Sequence, residues 1–147
     1  MAGVLYESSQ DRMVQLRAVM KLCKYSGLVW RATDRLAVWD FELFRGKDLV
    51  YLCEVKSRSH RFGRFSALNI SASKIDQLIS SAQNKNCKAI LLIDWLETFG
   101  CTVLREDCPY PFVDNWGRSD RPSDRKQKEK AYAIPITEFS LVENIVI

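Results

Sequence analysis

Apolar positions recur along this chain in two rhythms. Met13, Leu16, Met20 and Cys23 follow at intervals of three and four, which predicts a helix over roughly 4–24 with one apolar stripe. Gly27 supplies a stop just beyond it. After a short β-like run at 28–30 come two segments rich in β-branched and aromatic residues, 37–44 and 49–56. The turn signal Arg45-Gly46-Lys47-Asp48 between them predicts a β-hairpin.

Residues 58–69 read as a polar, basic loop. From Ser71 a second helix begins, capped by Ser71 or Ser73, with Ile75, Leu78, Ile79 and Ala82 as its buried stripe. The near-continuous apolar run at 87–94 reads as a central strand buried on both faces, and 99–105 as a further strand. Residues 106–130, with Pro109, Pro111, Gly117 and Pro122 among many charges, read as a long loop. The chain closes with a short strand at 131–136 and a last strand within 139–147. The order α-β-β-β-α-β, followed by C-terminal β additions, describes one mixed α/β domain. Its core spans about 4–105, with a central sheet flanked by helices.

Composition narrows the class. With 147 residues, 47% of them apolar and 27% charged, the chain suits one globular domain. Five cysteines without a CxxC pair, and a single histidine, argue against a zinc site and fit a reduced, cytoplasmic protein. The start lacks a charged segment followed by an apolar core, so no signal peptide is expected. The longest apolar run, at 89–93, is too short to span a bilayer, so no membrane is expected as a partner. The net charge of +4 is modest but clustered. From Lys56 to Arg64 there are four Lys/Arg and no acid, and from Arg118 to Lys130 six Lys/Arg against three acids. Such clusters fit a nucleic acid or simply a solvated loop.

The candidate chemistry sits in the hairpin. Glu54 and Lys56 are two apart in one strand and so share a face, while Val55 points into the core. Asp40 lies in the partner strand. A two-residue loop, Gly46-Lys47, would set Asp40 opposite Cys53 and point it away from Glu54. An odd-length loop or a bulge would restore the shared face. Two carboxylates can hold Mg²⁺ (or Mn²⁺) with water and a substrate phosphate. The backbone carbonyl of Val55 can add a ligand, and Lys56 can orient the attacking water or stabilise the pentavalent phosphate. The same residues could equally form a cross-strand ion-pair network on an exposed sheet.

With these residues in this order, the chain resembles the PD-(D/E)XK nuclease superfamily, the restriction-endonuclease-like fold, and within it small phage-type nucleases. Asp40 matches the motif aspartate and Glu54-Val55-Lys56 matches (D/E)-X-K, although Trp39 stands where the motif has proline. The strand ending Glu54-Val55-Lys56-Ser57-Arg58, the helix opening Ser71-Ala72-Ser73-Lys74 and the stretch 117–139 are similar to those nucleases as well. The resemblance implies a Mg²⁺-dependent nuclease acting on DNA, an endonuclease in phage or mobile-element DNA processing, repair or recombination. Holliday-junction-resolvase-like action and a homodimer fall within its range. A non-catalytic nucleic-acid-binding or assembly module on the same fold is the alternative, but its signature would be a missing Asp, Glu or Lys. Glu7 matches an acid that some members add to the metal site, though an exposed glutamate early in a helix is the plainer reading.

Other residues are candidate DNA contacts. Arg58, Arg61 and Arg64 follow the Glu54–Lys56 strand and suit phosphates. His60 among them is a proton carrier or a surface residue. Lys74 can approach the site or a phosphate at a helix N-terminus, and Gln77 shares its face. Arg118, Arg121 and Arg125 suit a clamp. Trp95, Tyr110, Phe112 and Trp116 can stack on bases, or pack the core.

Overall fold

The computed structural model describes residues 9–34, 37–116 and 129–144. Glu7, Arg118, Arg121 and Arg125 therefore lie outside the described residues, as do residues 4–8 of the expected first helix and 145–147 of the expected last strand. Helix α1, Ser9–Ser26, ends where the Gly27 N–H bonds the Cys23 carbonyl, with Gly27 at φ +77°. Its buried side is centred on Ala18, Val19 and Leu22. The expected stripe is thus rotated: Leu16 and Cys23 are half-buried at its border, while Met13 and Met20, seven apart, lie on the adjacent exposed face.

A six-stranded mixed sheet forms the centre. It comprises β1 (Val29–Ala32), β2 (Phe41–Arg45), β3 (Asp48–Arg61), β5 (Lys88–Leu96), β6 (Thr98–Val103) and β9 (Ser140–Leu141), in the order β1-β2-β3-β5-β6-β9. Among the described residues only the β3–β5 pair is parallel, and it is bridged by β4 (Ala67–Ser71) and helix α2 (Ala72–Asn84). That crossover leaves β5 central, and Ile90, Leu91, Leu92 and Ile93 are buried on both of its faces. Helix α1 packs on one face through Phe41, Cys53, Val55, Ile90 and Leu92. Helix α2 covers the other through Leu52, Leu91 and Ile93, with Ile75, Leu78, Ile79 and Ala82 as its buried stripe. A second antiparallel sheet, β4-β8-β7, contributes Leu68, Ile70, Tyr132 and Ile134 to this second core; β7 is Phe112–Trp116 and β8 is Glu129–Pro135.

Four expectations differ from the structure. The segment 37–40 is a bend, not strand. The polar loop at 58–69 is instead the end of β3 plus β4, whose Leu68 and Ile70 alternate inward. On β3 the exposed positions are Ser57, Ser59 and Arg61, while Lys56, Arg58 and His60 alternate with them at half-buried ones, which is strand rather than loop. The long loop at 106–130 contains β7 and the first residues of β8, and the last strand shortens to Ser140–Leu141 before a 3₁₀ turn. Pairing with a neighbour, invisible locally, makes strands of these polar segments. All five cysteines are free, with Cys53, Cys87 and Cys101 buried. Among the described residues no helix is long and apolar enough to cross a membrane.

Candidate active site

The β2–β3 turn is the two-residue loop Gly46-Lys47, with Gly46 at φ +61°. Taken alone, that loop would carry Asp40 to the wrong face. The ladder corrects it with a bulge. Arg45 pairs with Asp48 and Phe44 with Leu49, but Leu43 then pairs with Tyr51, leaving Val50 as the extra residue. Phe41 rather than Asp40 now lies opposite Cys53, and Asp40 comes level with Glu54 and Val55.

Asp40 stands one residue before β2, where continuing the register from Phe41–Cys53 sets it opposite Glu54. Its N–H donates to the Cys53 carbonyl (2.9 Å), and its own Oδ2 accepts the Val55 N–H (2.8 Å). A strap from the end of β1 fixes the turn. The Thr33 N–H donates to the Asp40 carbonyl (3.1 Å), and Thr33 Oγ1 lies 2.6 Å from the Trp39 carbonyl and 2.9 Å from that of Asp40. Trp39 Nε1 donates to Glu42 Oε2 (3.3 Å), and Glu42 is also paired with Arg31. Thr33 carries no motif signal; hydroxyl-to-carbonyl contact across the turn is what makes it matter.

Glu54 is 4% exposed and projects on the α2 side. Its Oε2 lies 3.3 Å from Lys56 Nζ and 3.5 Å from Lys74 Nζ. Lys74 reaches it from the first turn of α2, where Ser71 Oγ caps the helix by accepting the Lys74 N–H at 3.5 Å. A buried carboxylate held by two ammoniums is compensated; removing either partner leaves charge stranded in a poorly solvated place. Asp40 is less well served. Burial first, then the neighbouring Glu54, push its carboxyl up to about 7, against the pull of the Val55 N–H, Lys56 and Lys74. The pair therefore lacks positive charge at Asp40.

A divalent cation fits that deficit. Among the described residues no group of three or more His, Cys, Asp or Glu could hold a metal. Two hard carboxylates suit Mg²⁺ or Mn²⁺, which keep several waters. The N–H and C=O of one extended residue leave a strand on the same edge, so the Val55 carbonyl emerges beside Asp40.

The arginines separate. Arg58 is half-buried, and its guanidinium bonds the carbonyls of Asn69 on β4 (3.1 Å) and Ser57 (2.9 Å), so it ties β3 to β4. Arg61 is exposed and paired with Glu97 at 2.7 Å, while Arg64 is exposed over the Phe65 ring. Gln77 is exposed on α2, one turn after Lys74. His60 packs edge-to-face against Phe65. Trp95 and Tyr110 are buried core residues, whereas Phe112 is exposed and stacks on Tyr132.

Residues 1–142 match the family described as "Phage putative PDDEXK endonuclease". The chain belongs to this phage PD-(D/E)XK endonuclease family. Its fold agrees. The solved structure of Hjc, a Holliday junction resolvase from the archaeal hyperthermophile Archaeoglobus fulgidus, superposes with a TM-score of 0.53 at 14% identity, over 90% of this chain and 96% of that one. At that identity the likeness establishes the restriction-endonuclease-like architecture. A search of curated proteins finds no match.

Proposed function

We propose that this phage-family endonuclease hydrolyses DNA phosphodiester bonds with Mg²⁺ or Mn²⁺ as its cofactor, in phage DNA processing, repair or recombination. The observation that carries the reading is the seat of Asp40. Its carboxylate is locked by the Val55 N–H beside Glu54, buried and short of positive charge, with Lys56 on the same face. Asp40, Glu54 and the Val55 carbonyl would hold the cation, which when bound supplies charge neutralisation at the phosphate and a more acidic water.

The remaining work falls to this chain's own side chains. Lys56, half-exposed, is free to leave Glu54 for the attacking water or a phosphate oxygen once the carboxylate is otherwise engaged. Lys74 shares the same Glu54 oxygen, and we assign it to the site as a second ammonium facing the scissile phosphate. Arg61 and Arg64 suit flanking phosphates. The neighbour named as a Holliday junction resolvase makes branched DNA a substrate worth assaying beside duplex and single strands.

Cleavage of these three DNA forms with Mg²⁺ or Mn²⁺ tests the proposal. Glu54→Ala and Lys56→Ala should each lower the rate by about 10²-fold or more, the scale set by losing one stabiliser of transition-state charge. Undiminished cleavage by both variants would remove the site from consideration.

A further inference from the structure

The stretch following Lys56 ends in a turn built unlike an ordinary solvated loop. Arg61-Phe62-Gly63-Arg64 closes with the Arg64 N–H on the Arg61 carbonyl (3.2 Å), and Gly63 at φ +86° occupies the position a type II turn reserves for glycine. Phe62 anchors the turn inward, packed edge-on against buried Trp95 with centroids 5.0 Å apart. Arg58 fastens its base to the Asn69 carbonyl of β4. Phe65 points the other way and is 52% exposed. It is held in place by His60, edge-to-face at 4.8 Å and 89°, and by the Arg64 guanidinium 5.7 Å from its ring centre. A large apolar ring is thus held at the tip of a fixed arm, among Arg61, Arg64 and His60, where neither core packing nor solubility calls for it.

A phenyl ring gains nothing from a phosphate, but it offers a face to a nucleobase, and the cations around it suit the adjoining backbone. We propose that Phe65 is a base-stacking site for an unpaired nucleotide of the DNA substrate. This rests on the nuclease reading above. From Lys56 to Arg61 the strand advances roughly 17 Å at about 3.3 Å per residue, which corresponds to about five nucleotides of one duplex strand at 3.4 Å each. The stacked base is therefore a few nucleotides from the scissile phosphate. In continuous duplex every base face is already covered, and reaching one means unstacking a step. A single-stranded arm presents its bases without that cost. The site consequently favours DNA with an unpaired segment near the cut over uninterrupted duplex.

The test compares Phe65→Ala, Phe65→Leu and Phe65→Trp with the wild type. Binding to a labelled duplex bearing a single-stranded arm, and to a fully paired duplex of equal length, is measured by fluorescence anisotropy in EDTA. Phe65→Ala should bind the armed DNA about 5- to 150-fold more weakly, the equivalent of about 1–3 kcal/mol for one stacked base. Fully paired duplex should change less than twofold. Phe65→Trp should bind the armed DNA as the wild type does, and Phe65→Leu, apolar but without a π face, should not. Equal losses on both DNAs, no loss on either, or full activity of Phe65→Leu would overturn the stacking site. Mg²⁺-dependent cleavage by the wild type is scored separately. Its absence would refute the nuclease reading, whereas cleavage with an indifferent Phe65 refutes the stacking site alone.

Discussion

Asp40 is the residue with most at stake. Its carboxyl is pushed up to about 7 while an unfolded aspartate titrates near 4. A raised folded value means that the contribution to stability is complete below about pH 4 and is lost as pH rises through about 7. In EDTA, Asp40→Asn should therefore melt several degrees above wild type at pH 8, and the gap should vanish toward pH 4. The asparagine oxygen can still accept the Val55 N–H. Added Mg²⁺ should raise the wild type at pH 8 and close the gap, because the cation supplies the charge Asp40 lacks. Equal melting of the two proteins at pH 8 in EDTA would contradict this account. Glu54 and Lys56 were readable from their spacing, since period two fixes a shared face. The partner of Asp40 was not, because a side chain that replaces a ladder carbonyl leaves no periodic trace.

At the level of elements, the site depends on how β1, β2 and β3 meet. For Asp40 to share a face with Glu54, the hairpin needs an odd-length loop or a bulge, and the bulge at Val50 supplies it. What the sequence did not reveal is the strap from Thr33, which pins the turn before β2 by its hydroxyl and N–H. Thr33→Val keeps the shape but removes the hydroxyl. It should cost about 1 kcal/mol of stability and lower kcat roughly tenfold with KM little changed, as a loosened Asp40 costs alignment rather than binding. Thr33→Ser should restore both. An unaltered kcat in Thr33→Val would show that the strap does not position the carboxylate. The strands β4 and β7 were missed because their residues sit in stretches rich in charge, glycine and proline. β4 and β7 are strands because neighbours pair with them, and pairing across many residues is absent from any local window.

Across the whole molecule, the site lies where the main sheet, the N-terminus of α2 and the β3–β4 arm converge. The chain's positive charge then bears on affinity as well as on chemistry. If Arg61 and Arg64 meet phosphates, the double variant Arg61→Ala/Arg64→Ala should reduce the slope of log affinity against log salt by about 2, at roughly 0.9 per contact. Affinity should fall for paired as well as armed DNA, unlike the effect expected at Phe65. An unchanged slope would assign these arginines to surface ion pairs such as Arg61–Glu97. By itself the sequence determined the helices, the central β5, the hairpin and the Glu54–Lys56 pair, because burial stamps a local period on each. The tertiary structure alone decided the seat of Asp40 on the Val55 N–H, the choice of Glu54 as the partner of Lys74, which the sequence had left open, and the bond from Arg58 to β4. Each of these is a contact between segments whose spacing in the chain carries no period, so folding had to bring them together before they could be seen.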